Sequence, residues 1–141
     1  MRTINNLLEA VKKIDLLQAI DNSLDAKKKD YVDLQKDQLF HGLRSDGESI
    51  TPFYTRFTIA IKKEKGQVTD RVTLRDTGAF YDGIYADPRS EGLVVDSSDE
   101  KTDMLTKKYS DAIFTLEDER KQLFANLTHR VLIEEIEKQM A

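Results

Sequence analysis

The sequence contains no cysteine and no tryptophan, only two histidines and two prolines, and no long apolar run. Without a thiol there is no disulfide framework, no thiolate nucleophile, no iron–sulfur cluster and no thiolate zinc site. His41 and His129 lie far apart in the chain, which leaves no His-rich metal site. No apolar stretch approaches the roughly 18 residues needed to cross a bilayer. The opening residues Met1-Arg2-Thr3-Ile4-Asn5-Asn6 lead into a charged helix rather than a signal-peptide core. The expectation is a soluble chain, used in a reducing compartment.

What is abundant is charge. Of 141 residues 34% are charged, with Lys and Arg numbering 22 against 26 Asp and Glu, a net of −4. That is well above the usual quarter and points to long solvated helical faces. The length suits one domain, residues 1–141, since halves would be too small to bury a core. Residues 1–43 read as helical: Ile4, Leu7, Leu8, Val11, Ile14, Leu17 and Ile20 recur at spacings of three and four. Asp21-Asn22-Ser23 supplies capping side chains, marking a tight turn or a kink, before a second stripe of Leu24, Tyr31, Leu34, Gln38, Leu39 and Leu43.

Residues 44–98 read as loop and small sheet, and hold both prolines and most of the glycines. Residues 55–63 fit a short helix or a strand. Residues 68–74 alternate with β-branched Thr69 and Thr73 between apolar positions. Ile84-Tyr85 and Leu93-Val94-Val95 predict two antiparallel strands joined by a turn over residues 87–92. Residues 99–141 return to helix: a short one capped at Ser98-Asp99 and carrying Met104, Leu105 and Tyr109, then a long one entered at Thr115. The apolar positions Leu123, Phe124, Leu127, Val131, Leu132, Ile136 and Met140 lie on this final helix, the first four expected in the core. The fold class is therefore α+β, with long N- and C-terminal helices flanking a small antiparallel sheet and a short helix.

Charge is distributed unevenly. Residues 56–75 carry six basic and two acidic side chains, a net of +4, whereas residues 91–141 carry seven basic and twelve acidic, a net of −5. Faces of opposite sign can guide copies into register. The candidate partner-binding residues are the basic ones of the middle, Arg56, Lys62, Lys65 and Arg71, with Arg56, Lys62 and Lys65 expected at the surface.

Three motifs invite chemistry. Asp76-Thr77-Gly78-Ala79 matches the catalytic loop of homodimeric aspartic proteases, where two carboxylates share a proton. Here Arg75 stands where those enzymes carry an apolar residue, Phe80-Tyr81-Asp82-Gly83 does not continue their pattern, and a turn stabilised by Gly78 explains the same letters. The cluster Lys62-Lys63-Glu64-Lys65, near Phe53, Tyr54 and Phe57, suits a DNA-binding accessory protein, but the chain is acidic overall and carries no nucleic-acid-binding motif, so direct nucleic-acid binding is disfavoured. Asp96, Asp99, Glu100 and Asp103 have carboxylates suited to a hard cation, without the spacing of a calcium loop. No catalytic constellation, cofactor motif or phosphate loop is present, and a non-enzyme is expected.

The succession Asp46-Gly47-Glu48-Ser49-Ile50-Thr51-Pro52, then Thr58-Ile59-Ala60-Ile61-Lys62-Lys63, then Val72-Thr73-Leu74-Arg75-Asp76-Thr77-Gly78-Ala79-Phe80 resembles the small tail-completion or virion-morphogenesis proteins of tailed bacteriophages. Leu74, Thr77-Gly78 and Phe80 occupy the matching places, and the resemblance spans about residues 38–115. It is similar also to virion proteins of phages that infect gut Bacteroides and their relatives. In place of the Tyr-, Ala- and Gly-rich stretch and terminal strand common in that group come residues 99–109 and a long helix. The resemblance implies a structural part of the neck or head–tail connection. Such a part would form a ring of identical subunits touching other neck, tail or portal proteins, and would belong to the virion assembled in a bacterial cytoplasm.

Overall fold

The computed structural model describes residues 3–89 and 92–141. Among the described residues six helices accompany one two-stranded antiparallel sheet, which makes the fold α+β with long helices flanking a small sheet. Helix α1 spans Ile4–Lys12 and α2 spans Leu16–Phe40; α3 (Arg56–Glu64) and the one-turn α4 (Ala79–Gly83) follow. Strands β1 (Ile84–Arg89) and β2 (Gly92–Ser97) precede α5 (Thr102–Tyr109), a 3-10 turn at Asp111–Ile113, and α6 (Asp118–Met140). None of the described helices is long and apolar enough to cross a membrane.

The two long helices form an antiparallel pair. Along it Gln38 meets Glu117, Tyr31 packs edge-on against Phe124 with ring centroids 5.1 Å apart, and Asn22 donates to Glu135 at 3.1 Å. Near the start of α2, the amide and carbonyl of Asp15 bond the side chain of Gln139. Only the second half of α2 also meets the core, where Leu39, Ile50, Val72, Phe80, Tyr81, Ile84, Tyr109, Ile113 and Phe114 form one buried cluster. The molecule therefore has a head, built on that cluster, and an arm made of α1, the first half of α2 and the second half of α6.

The helix break falls at Lys13–Asp15, not at Asp21-Asn22-Ser23. Asp15 caps α2 by accepting from the Gln18 amide at 3.0 Å, while the three polar residues continue the helix. Ser23 turns its hydroxyl back to the Ile20 carbonyl at 2.8 Å, and Asn22 reaches across to α6. Side chains that cap a helix in one setting bridge two helices in another. At the other end of α2, Gly42 adopts a left-handed φ of +72° after the His41 cap, and the Leu43 amide donates back to Gln38.

Residues 55–63 resolve as helix, entered at Thr55, whose hydroxyl accepts from the Thr58 amide at 3.2 Å. The alternating residues 68–74 form no strand. At Thr73 two tyrosines take the place of a ladder: its amide donates to the Tyr54 hydroxyl at 3.0 Å, and the Tyr81 hydroxyl donates to its carbonyl. The two expected strands pair as β1 and β2, in a register that sets Ile84 against Ser97 and Asp87 against Val94. Residues 87–89 of the expected turn belong to β1 itself, and Ser90 and Glu91 lie outside the described residues, as do Met1 and Arg2.

Helix α5 begins after Asp99, which accepts from the Lys101 amide at 3.3 Å, and α6 is capped by Glu117 rather than Thr115. Glu117 accepts from the amides of Glu119 and Arg120 at 2.9 and 2.8 Å. The long stripe of α6 is not core. No residue of α6 is buried, and Leu123, expected inside, is half exposed. A 23-residue helix that packs along one seam against α2 leaves most of its circumference in water.

Gln38 is fully buried: its amide donates to the Thr115 carbonyl at 3.0 Å and its oxygen accepts from the Glu117 amide at 2.8 Å. Replacing Gln38 by Leu strands both backbone groups, so Gln38→Leu should cost about 1–3 kcal/mol in urea denaturation with an unchanged slope.

Candidate interaction site

The motif-bearing residues converge on one pocket. Helix α3 and its cap supply Thr55, Thr58 and Lys62, the turn into α4 and its first residues supply Leu74 to Phe80, and α5 with its cap supplies Lys101, Met104, Leu105, Lys108 and Tyr109. The cavity measures about 230 Å³, room for one large side chain or several waters. Leu74 forms part of its wall with φ at +57°, a left-handed conformation that costs a branched side chain energy and is held by the Thr73 bonds on one side and core packing on the other.

Lys62 was expected at the surface and is buried, at 9% exposure. Its stem follows the apolar wall while its ammonium donates to the Arg75 carbonyl at 3.3 Å and the Gln67 side-chain oxygen at 3.4 Å, and lies 4.9 Å from the Tyr54 ring centroid. None of these partners is a carboxylate, so among the described residues Lys62 forms no ion pair. The other candidates do not join it in one patch. Arg56 is exposed on α3. Lys65 pairs with Asp76 at 3.0 Å. Arg71 is partly buried, donating to the Phe40 carbonyl at 2.7 Å and pairing with Asp70 at 2.8 Å, its guanidinium 5.1 Å from the Phe40 ring. The lysine cluster is thus divided: Lys62 faces inward and Lys65 is engaged, so it presents no continuous basic stripe of the kind that tracks phosphates.

Asp76-Thr77-Gly78 forms the turn into α4. Thr77 accepts from the Ala79 amide at 3.2 Å and Gly78 takes φ of +94° at the helix entry. The Asp76 carboxylate accepts from Gln67 at 3.1 Å and from Lys65, with Lys101 at 3.9 Å. The Gln67 and Lys65 hydrogen bonds, with the charges of Lys65 and Lys101, hold its carboxyl below the ordinary aspartate value. The carboxylate is thus engaged by a glutamine and two lysines of its own chain. Asp96 and Asp99 likewise serve backbone amides, those of Ser97 and Lys101. Among the described residues no three acidic or histidine side chains are grouped to hold a metal.

Burial pushes the Tyr81 hydroxyl well above the ordinary tyrosine value, so it remains a donor to Thr73 throughout the working pH range. The α5 wall was not foreseen as part of a site. Lys101, Met104, Leu105 and Lys108 share one helical face, which their spacing of three and four displays, but nothing local in sequence reports that α3 lies opposite.

The sequence also gave no warning of how much of α1 stays uncovered. Only its Ala10 is buried, whereas Ile4, Leu7, Leu8 and Val11 line an exposed stripe that continues into Leu16 and Leu17 of α2. Ile4 and Leu17 reach 77% and 76% exposure. Six large apolar side chains concentrated at one end of a molecule make a surface suited to another protein.

Because the folded protein holds Asp76 below its unfolded value of about 3.9, its contribution to stability is present above that value and is lost as pH falls through the depressed one. Asp76→Asn should therefore flatten the loss of stability below about pH 4, read as denaturation midpoints across an acid series.

Comparison with known protein families, curated proteins and solved structures gives no match to this chain.

Proposed function

We propose that this chain is a non-enzymatic structural subunit of a tailed-bacteriophage particle, acting in the neck or tail connection through ring-like assembly and protein–protein contacts. The observation that carries the reading is the apolar stripe of α1 and the start of α2, uncovered in the single chain. A soluble monomer rarely keeps a contiguous apolar stripe of that kind without a partner for it. The sequence resemblance over residues 38–115 supplies the setting, and the opposed charges of residues 56–75 and 91–141 supply a means of orienting neighbours. The engagement of Asp76 with Lys65 and Gln67 further supports a structural reading of the Asp-Thr-Gly turn.

In this role the head and arm divide the work. The head fixes the start of α6 against α2, and the arm presents α1 beyond the part of α2 that meets the sheet. Mass spectrometry and electron cryomicroscopy of intact particles should find the chain in a symmetric set of copies; its absence from particles overturns the reading. Leu8 and Leu17 are exposed, so the double variant Leu8→Glu, Leu17→Glu should keep its folding stability within about 0.5 kcal/mol and yet be excluded from assembled particles.

A further inference from the structure

The pocket between α3 and α5 combines two properties that define what would fill it. Its walls are apolar, through Leu74, Phe80, Met104 and Leu105, and Met104 is left 58% exposed at its mouth. Its lining is also cationic: among the described residues buried Lys62 has no carboxylate within ion-pair distance, and Arg75, Lys101 and Lys108 stand around it against Asp76 and Asp99. A buried ammonium satisfied only by an amide, a carbonyl and an aromatic face gains from a carboxylate brought into the same water-poor space. The complement is an apolar side chain flanked by acids, small enough for a cavity of about 230 Å³.

The chain itself carries that complement. On the face of α6 turned away from α2, Ile133 is 44% exposed. Glu137 lies one helical turn beyond it and Glu134 beside it. Glu135 is tied to Asn22 and Lys138, but Glu134 and Glu137 form no ion pair with the described residues. The α1 stripe is more apolar but does not match in charge, because its single acid, Glu9, is paired with Lys12 at 3.4 Å. Pocket and acidic patch lie at opposite ends of the molecule, the first in the head and the second on the arm, so one copy cannot satisfy itself.

We infer that the pocket receives Ile133, with Glu134 and Glu137 toward Lys62 and its basic neighbours, from the arm of a second copy in a head-to-tail contact. This inference rests on the assembly reading above and adds to the α1 stripe a second pair of surfaces, those between copies. A contact between two different surfaces of one chain propagates, closing into a ring or running on as a filament. It is also sensitive to salt, because charges of opposite sign meet across it.

Sedimentation velocity on the full-length chain over a concentration series tests this directly. Wild type should associate beyond a dimer, more strongly at low salt. Met104→Asp disables the pocket and Ile133→Asp with Glu137→Lys disables the patch, each on exposed positions that leave the fold intact, and each should weaken association about tenfold or more. Mixed in equal amounts, the two variants retain one good pocket and one good patch between them, so the mixture should recover association and stop at the dimer. Lys62→Met, which replaces a buried cation by an apolar side chain of similar length, should leave the melting temperature equal or higher while weakening association and its salt dependence. A wild-type chain that stays monomeric overturns the head-to-tail contact while leaving incorporation into particles to be scored on its own. Association that survives the pocket and patch variants, or a mixture that grows past the dimer, overturns the assignment of these surfaces and leaves the assembly reading in place.

Discussion

The rest of the structure depends on two glutamine side chains buried in the last turns of α2. Gln35 donates to the Ile113 carbonyl at 2.9 Å, and Gln38 bonds both the Thr115 carbonyl and the Glu117 amide. Tyr31, one turn earlier, donates to the Phe114 carbonyl at 3.1 Å. The irregular stretch that links the 3-10 turn to α6 has no ladder of its own, and a buried backbone without partners would cost more than the fold can spare. Side chains of α2 stand in for the missing strand or helix partners. They thereby set where α6 starts and in which direction it leaves the head, and Arg120 reinforces the junction by bridging Asp37 at 2.6 Å and Glu117 at 3.1 Å.

From that junction the remaining geometry follows. With α6 fixed at its first turn, it runs back along α2 and meets it again through Asn22 and Glu135 and, near their far ends, through Asp15 and Gln139. The strand pair rests on the second half of α2, and its Ser97 hydroxyl donates to the Phe80 carbonyl at 3.0 Å, tying the sheet to α4. This leaves α3 and α5 on either side of the Leu74 to Phe80 segment, which is how a turn sequence, a lysine from one helix and a methionine from another come to line one cavity.

The elements whose stabilisation is local were legible in the sequence. The long helical stripes, the hairpin strands and the short helix carrying Met104, Leu105 and Tyr109 each announce themselves by spacing, because period follows from backbone geometry alone. What escaped depended on distant partners. Asp15 and Asp21-Asn22-Ser23 offer equal capping chemistry, and contact with Glu135 decides that the second set stays helical. Residues 68–74 alternate like a strand, yet the amide and carbonyl of Thr73 are claimed by Tyr54 and Tyr81 from elsewhere in the head. Lys62 looks like one of several solvated lysines until the Tyr54 ring and the Arg75 carbonyl close over it. The stripe on α6 is helical as its spacing predicts but is not core, since periodicity reports a seam but not how much lies beyond it.

The absence of any buried residue on α6 has a dynamic meaning. Helix pairs joined along a single seam, without a third layer, have free energies of opening that fall with distance from the nearest core. In this molecule the gradient runs from the glutamine junction, where opening requires unfolding the head, outward to the α1 joint, where it breaks little more than the Asp15–Gln139 pair. The protein is therefore stiff around the glutamine junction and compliant toward α1, so that the outer part of the arm can adjust its pose at a cost the head does not feel.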